Sequence, residues 1–191
     1  MEFRNYYIQK IIFLLVEFHD VDINTCLLYN IRGIPRKGIT MIITFIGHGS
    51  INISDELSNR IKKAILLNLS ESSTITFFCG GYGSFDLHCA SLCRSLKKDF
   101  PNCSIVFVTP YITPSQQRKM KHLIEEHLYD SIVYPPIEKS PPRLAIIKRN
   151  EWMISKADLI IAYVLHTHGG AYKSLEYARK KNRFIMNLAE T

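Results

Sequence analysis

Thr74-Ile75-Thr76-Phe77-Phe78-Cys79-Gly80-Gly81-Tyr82-Gly83-Ser84-Phe85-Asp86 reads as an apolar strand that breaks on glycines and opens a helix. The same order returns near the C-terminus, where an apolar run over 158–164 leads into His168-Gly169-Gly170-Ala171. A glycine turn from strand into helix gathers backbone N–H groups and the positive end of a helix dipole at one point, a place for an anion. Between the two turns lies Arg149-Asn150-Glu151-Trp152-Met153. Two anion sites with an arginine between them point to a nucleotide or nucleotide-derived ligand. They leave open whether that ligand is cleaved or only sensed.

Outward from these turns, strand and helix patterns alternate. Residues 42–46 form an apolar strand that ends at Gly47-His48-Gly49-Ser50, and Ser54 or Asp55 caps a helix with apolar Leu57, Ile61, Ile65 and Leu69. The strand over 74–79 precedes a helix over 84–98, and a strand over 104–109 stops at Pro110. Pro114 suits the first turn of a helix running to about residue 127. A short strand over 132–134 precedes Pro135-Pro136-Ile137-Glu138-Lys139-Ser140-Pro141-Pro142, whose four prolines exclude regular structure. A helix over 143–156, a strand over 158–164, a helix over 170–181 and a strand over 184–188 complete the chain. Strands alternating with helices of this length imply an α/β, Rossmann-like three-layer sandwich with a mostly parallel sheet of about six strands. Such sheets bind ligands beyond the carboxyl ends of their strands, where loops 47–50, 80–86, 110–113, 135–143 and 165–170 converge.

The 191 residues suffice for one domain with a core, and their apolar and charged fractions are those of a globular protein. A net charge of +7 favours anionic partners, including nucleic acid, although the basic residues are spread rather than clustered. Five cysteines, an odd number without paired spacing, argue against a disulfide framework and for buried thiols in a reducing compartment. Ile11-Ile12-Phe13-Leu14-Leu15-Val16 falls short of the roughly 20 apolar residues that span a bilayer, and no cleavage site follows it. A cytoplasmic protein without membrane contact is expected.

The strand–turn–helix order begins at Met41, which divides the chain into an extension over 1–40 and a domain over 41–191. Arg36-Lys37-Gly38-Ile39-Thr40-Met41 can be encoded by AGA AAA GGA ATT ACA ATG, which holds a purine-rich ribosome-binding sequence just before an ATG. Met41 is therefore expected to be the natural start, with 1–40 a translated leader. The competing reading is a true N-terminal helix over 6–18 that packs on the domain.

Gly80 and Gly81 let the backbone approach a ligand without a Cβ, Gly83 completes the turn, and Ser84 can cap the helix or bond a phosphate. Asp86 would repel a phosphate but can hold a ribose hydroxyl or serve as a catalytic carboxylate. Arg149 offers planar bidentate contacts to phosphate and Arg143 the same; Asn150 can read a base or ribose edge. Each also suits a solvated helix face. Gly47 and His48 occupy the first turn, where His48 can donate to phosphate, and Gly169 and Gly170 form the last anion turn. Glu176 is either a second catalytic carboxylate or a surface acid near a helix start. The spacing of His166 and His168, with no cysteine pair nearby in sequence, is poor for zinc, so no metal and no cofactor is expected.

Over residues 41–188 the chain resembles the SLOG superfamily, a Rossmann-like group that includes LOG-type nucleotide phosphoribohydrolases, DprA and YpsA-like proteins. The resemblance rests on Arg149-Asn150-Glu151-Trp152-Met153, then Ala157-Asp158-Leu159-Ile160-Ile161-Ala162, then Gly169-Gly170. These look like the LOG arginine–lysine helix, the strand after it and the glycine turn. The nearest likeness is to small stand-alone YpsA-like bacterial proteins. Asn150 stands where LOG enzymes carry lysine, the second glycine–threonine step is missing, and Glu176 falls one residue late. The resemblance thus implies a retained pocket without the LOG catalytic set.

Three readings follow. The first is a domain that binds a nucleotide-derived ligand as a sensor, with Arg149→Ala abolishing binding without unfolding. The second is a nucleotide N-glycosidase using Asp86 or Glu176. The third is a DprA-like binder of single-stranded DNA, with Tyr82, Phe85 and Tyr111 near the rim. A homodimer is compatible with all three.

Overall fold

The apolar runs become six strands: β1 (Thr40–Gly47), β2 (Thr74–Cys79), β3 (Cys103–Val108), β4 (Ser131–Val133), β5 (Leu159–Tyr163) and β6 (Phe184–Asn187). Between them lie α1 (Asp55–Leu66), α2 (Ser84–Lys97), α3 (Pro114–Glu125), α4 (Ala145–Lys156) and α5 (Gly169–Lys180). The computed structural model describes residues 40–69 and 74–189. The expected leader, apart from Thr40, and the alternative helix over 6–18 lie outside the described residues.

The strands form one sheet in the order β4-β3-β2-β1-β5-β6. Every neighbouring pair is parallel. This is the Rossmann-like α/β arrangement read from the sequence, with a wholly parallel sheet. Alternating side chains feed two cores. Ile43, Phe45, Phe77 and Ile105 pack with Ile61, Ile65, Phe85 and Cys89 of α1 and α2. On the opposite face Ile46, Ile160 and Ala162 pack with Ile154 of α4 and Leu175 and Ala178 of α5. Burial of both faces explains why these strands are apolar throughout rather than alternating with polar residues.

The caps fall where the sequence places them. Ser54 Oγ accepts the Leu57 N–H at 3.2 Å, and Thr113 caps α3 ahead of Pro114. The helix expected from residue 143 begins instead as a 3-10 turn over Pro142–Leu144. Asp158 stays outside β5, and its carboxylate accepts the Ile42 N–H at 2.8 Å, securing the junction with β1. Among the described residues no helix is long and apolar enough to cross a membrane. The four described cysteines are free and buried.

Candidate functional site

From β1 the chain winds through β2, β3 and β4 on one side, then crosses through α4 to β5 on the other. The strand order therefore reverses at β1, and sheets of this type place their crevice at such a point. A cleft of about 110 Å³ opens there. Thr44 and Gly47 line it from β1, Gly80, Tyr82 and Asp86 from the β2–α2 turn, Ile146, Arg149, Asn150 and Met153 from α4, and Ala171 and Ser174 from α5.

Arg149 is the central side chain. It is 2% exposed, so the solvated-helix alternative does not hold. Nη1 donates to the Val108 carbonyl at 2.8 Å, while Nε, also buried, has no hydrogen-bond partner among the described residues. The guanidinium lies over the Tyr82 ring, 5.3 Å from its centroid, in cation–π range. Tyr82 is 40% exposed at the mouth of the cleft.

Asp86 organises the glycine turn. Its carboxylate accepts the Gly80 N–H at 3.1 Å and the Gly81 N–H at short range. Desolvation raises the carboxyl above its ordinary range, opposed by the Gly80, Gly81 and Tyr82 amides and by Arg149. Desolvation lowers Arg149, and Asp86, Tyr82 and Tyr111 oppose that shift. The amides of Gly80 and Gly81, expected to meet a phosphate, thus already serve an internal anion. Ser84 is also committed: Oγ accepts the Ile51 N–H at 2.9 Å and donates to the Ile51 carbonyl at 3.1 Å. Its amide donates to the Gly49 carbonyl at 2.9 Å. Gly83, at φ 90°, passes so close to Gly49 that a Cβ would lie 2.7 Å from its Cα.

His48 is an acceptor in this structure. Nε2 takes the Leu165 N–H at 3.2 Å and the His166 N–H at 3.4 Å, which puts the ring proton on Nδ1. His48 thereby ties the β1–α1 loop to the β5–α5 loop. Desolvation and then the neighbouring His166 and His168 lower its pKa. The three rings lie in a row, with centroids 5.0 and 5.5 Å apart. Among the described residues no group of histidines, cysteines and acids is arranged to hold a metal ion.

Of the residues singled out in the sequence, Gly47, Gly80, Asp86, Arg149 and Asn150 line the cleft. Gly81, Gly83, Ser84 and His48 shape the loops around it through the contacts above. Gly169 and Gly170 start α5 in open space, behind an N-cap residue, His168, whose side chain makes no capping bond. Arg143 is exposed on the 3-10 turn outside the cleft. Glu176 pairs with Arg179 at 2.8 Å and lines a separate surface depression with Lys173 and Lys180. The structure therefore does not bring Asp86 and Glu176 into one site. Sequence reasoning missed Thr44 on β1 and Ile146 and Ser174 on the helices as lining residues, because nothing local marks which strand or helix residue meets an element far away in sequence.

The sequence matches no family model and no curated protein. Among solved structures, the fold is similar to DNA processing protein A (DprA) from Streptococcus pneumoniae, with a TM-score of 0.52 at 12% identity. The match covers 76% of this chain and 49% of that one, so the chain spans about half the length of the pneumococcal protein. DNA processing protein A from Helicobacter pylori, solved to describe its single-stranded DNA binding, matches at 16% identity with a TM-score of 0.49. That match covers 79% of this chain and 68% of that one. At 12% identity the likeness to the pneumococcal protein shows the fold alone.

Proposed function

We propose that the cleft binds one nucleotide unit of a single-stranded nucleic acid. The observation that carries this reading is Tyr82, laid over Arg149 and exposed at the mouth of a cleft of about 110 Å³. That volume is well below the roughly 300 Å³ at which sites for drug-sized ligands begin, so most of a nucleotide would lie across the rim rather than inside. An aromatic platform beside a cation suits a base with its chain continuing outward. The net charge of +7 and the fold shared with a DNA processing protein support the same reading.

The test is fluorescence anisotropy of the full chain with a labelled oligothymidylate at low salt. Binding is expected to weaken linearly on a log–log salt plot. Tyr82→Ala is expected to lose roughly 1–3 kcal/mol, the worth of one stacked base. No binding at low salt, or binding indifferent to both salt and Tyr82, would remove the reading.

A free nucleotide-derived ligand is the second reading, favoured by the uncapped start of α5. Its first turns bring Ala171 and Ser174 into the cleft, and among the described residues its N-cap residue, His168, makes no side-chain capping bond. A thermal-shift screen of mono-, di- and triphosphates, ADP-ribose and NAD tests it; a ligand at about 100 times its Kd adds roughly 2.7 kcal/mol. An N-glycosidase would have to work with Asp86 alone, since Glu176 lies elsewhere. Membership among the YpsA-like proteins, a homodimer and a natural start at Met41 are further proposals. N-terminal mass spectrometry and light scattering would address the last two.

A further inference from the structure

We propose that the site holds two consecutive nucleotide units, the second in a neighbouring hollow beneath the proline loop; this rests on the single-strand reading above. The hollow measures about 260 Å³, and Tyr111, Ile112, Thr113, Tyr134, Glu138 and Ala145 are among the residues that line it. Ala145 and the cleft residue Ile146 are adjacent in the first turn of α4, so that turn is the ridge between the two hollows. Arg149 lines the cleft from further along the same helix. It bonds the Val108 carbonyl and lies over the Tyr82 ring.

Size argues for joint occupancy. Each hollow alone falls short of the roughly 300 Å³ at which ligand sites begin, while together they exceed it. Chemistry argues for a second base. Two tyrosines wall the hollow, Ile112 is 49% exposed beside them, and aromatic faces stack any base. Glu138 lines the hollow itself, and Lys139 and Arg143, exposed on the same segment outside that lining, offer positive charge to the phosphates of a strand. A phosphodiester strand and a free pyrophosphate-linked dinucleotide share this two-unit chemistry. The open rim favours the strand.

The experiment is calorimetric titration of the full chain at low salt with thymidine monophosphate, the phosphorylated dinucleotide, the trinucleotide, and ADP-ribose. The dinucleotide is expected to bind at least ten-fold more tightly than the monophosphate, with a smaller gain for the trinucleotide. Tyr134→Ala is expected to erase the dinucleotide's advantage. Ile112→Glu, at an exposed position that folding tolerates, should do the same by repelling the linking phosphate. Equal affinity for mono- and dinucleotide would overturn the second unit while leaving the single-unit reading intact. Binding of none of the thymidine ligands would remove both readings. ADP-ribose binding ten-fold more tightly than the dinucleotide would overturn the strand and assign the paired hollows to a free dinucleotide.

Discussion

Gly80 and Arg149 approach so closely that a Cβ built on Gly80 would lie 2.1 Å from Nη1 of the arginine. The glycine that follows β2 is thus required by a side chain on α4, 69 positions further along the chain. Its role is to admit the guanidinium to the Val108 carbonyl and the Tyr82 ring.

Gly80→Ala is therefore expected to cost about 1–3 kcal/mol, the usual effect of overpacking a filled site. Gly170→Ala provides the contrast. A Cβ there meets nothing within 4 Å, and the residue lies inside α5, so stability should rise by about 0.4–1 kcal/mol. Urea denaturation of both variants measures the difference, and equal effects would refute the packing argument.

Arg149→Ala removes a buried cation, strips the Val108 carbonyl of its donor and leaves Asp86 without its opposing charge. A loss of about 3–5 kcal/mol is expected, as for breaking other buried charged partnerships. The sequence alone leads to a variant that loses binding and keeps its fold; the 2% exposure of the side chain adds the expectation of a stability loss. Circular dichroism during denaturation would show it; a loss under about 1 kcal/mol, as at a surface charge, would contradict the burial argument.

Asp86→Asn keeps the shape but replaces a carboxylate that serves several amides with one carbonyl oxygen and an extra donor. Leaving a turn amide unpaired is expected to cost about 1–3 kcal/mol. Faster hydrogen exchange at Gly80 and Gly81, measured by NMR, would locate the loss. Unchanged exchange at both amides would show that the carboxylate does not hold the turn.

His48 gives a pH dependence with a defined sign. Its folded pKa lies below the ordinary 6.5, so the folded state binds fewer protons than the unfolded state as pH falls below that value. Stability present above 6.5 is then lost on acidification, because a protonated Nε2 cannot accept the Leu165 and His166 amides. Asp86 acts in the opposite sense. Its raised pKa means that its ionisation costs stability above 3.8, a cost that eases as pH falls. Comparing Tm at about pH 7.5 and about pH 5.5 separates the two, since His48→Gln should show a smaller acid loss than the parent. An equal loss in both would assign the effect to other groups.

Much of the fold was legible because its signals are local. Apolar runs of strand length, Ser54 and Thr113 as caps, Pro114 at a helix start and glycine at strand ends act within a few residues. Periodicity and turn chemistry therefore place the elements to within two residues, except that α1 ends at Leu66, short of the expected Leu69. Part of the site was legible for the same reason, since Gly80, Asp86 and Asn150 sit in or beside recognisable motifs.

By itself the sequence determined an alternation of strands and helices, hence a parallel α/β sheet with its loops gathered at one rim. Only the tertiary structure decided which groups at that rim are free. It gave the amides of Gly80 and Gly81 to Asp86, Ser84 to the β1–α1 loop, His48 Nε2 to the β5–α5 loop, and Arg149 Nη1 to the Val108 carbonyl beside the cleft. Local pattern fixes which backbone conformation a segment prefers. A donor's or acceptor's partner depends on which distant segments the sheet order brings beside it, and that order is settled by packing on both faces.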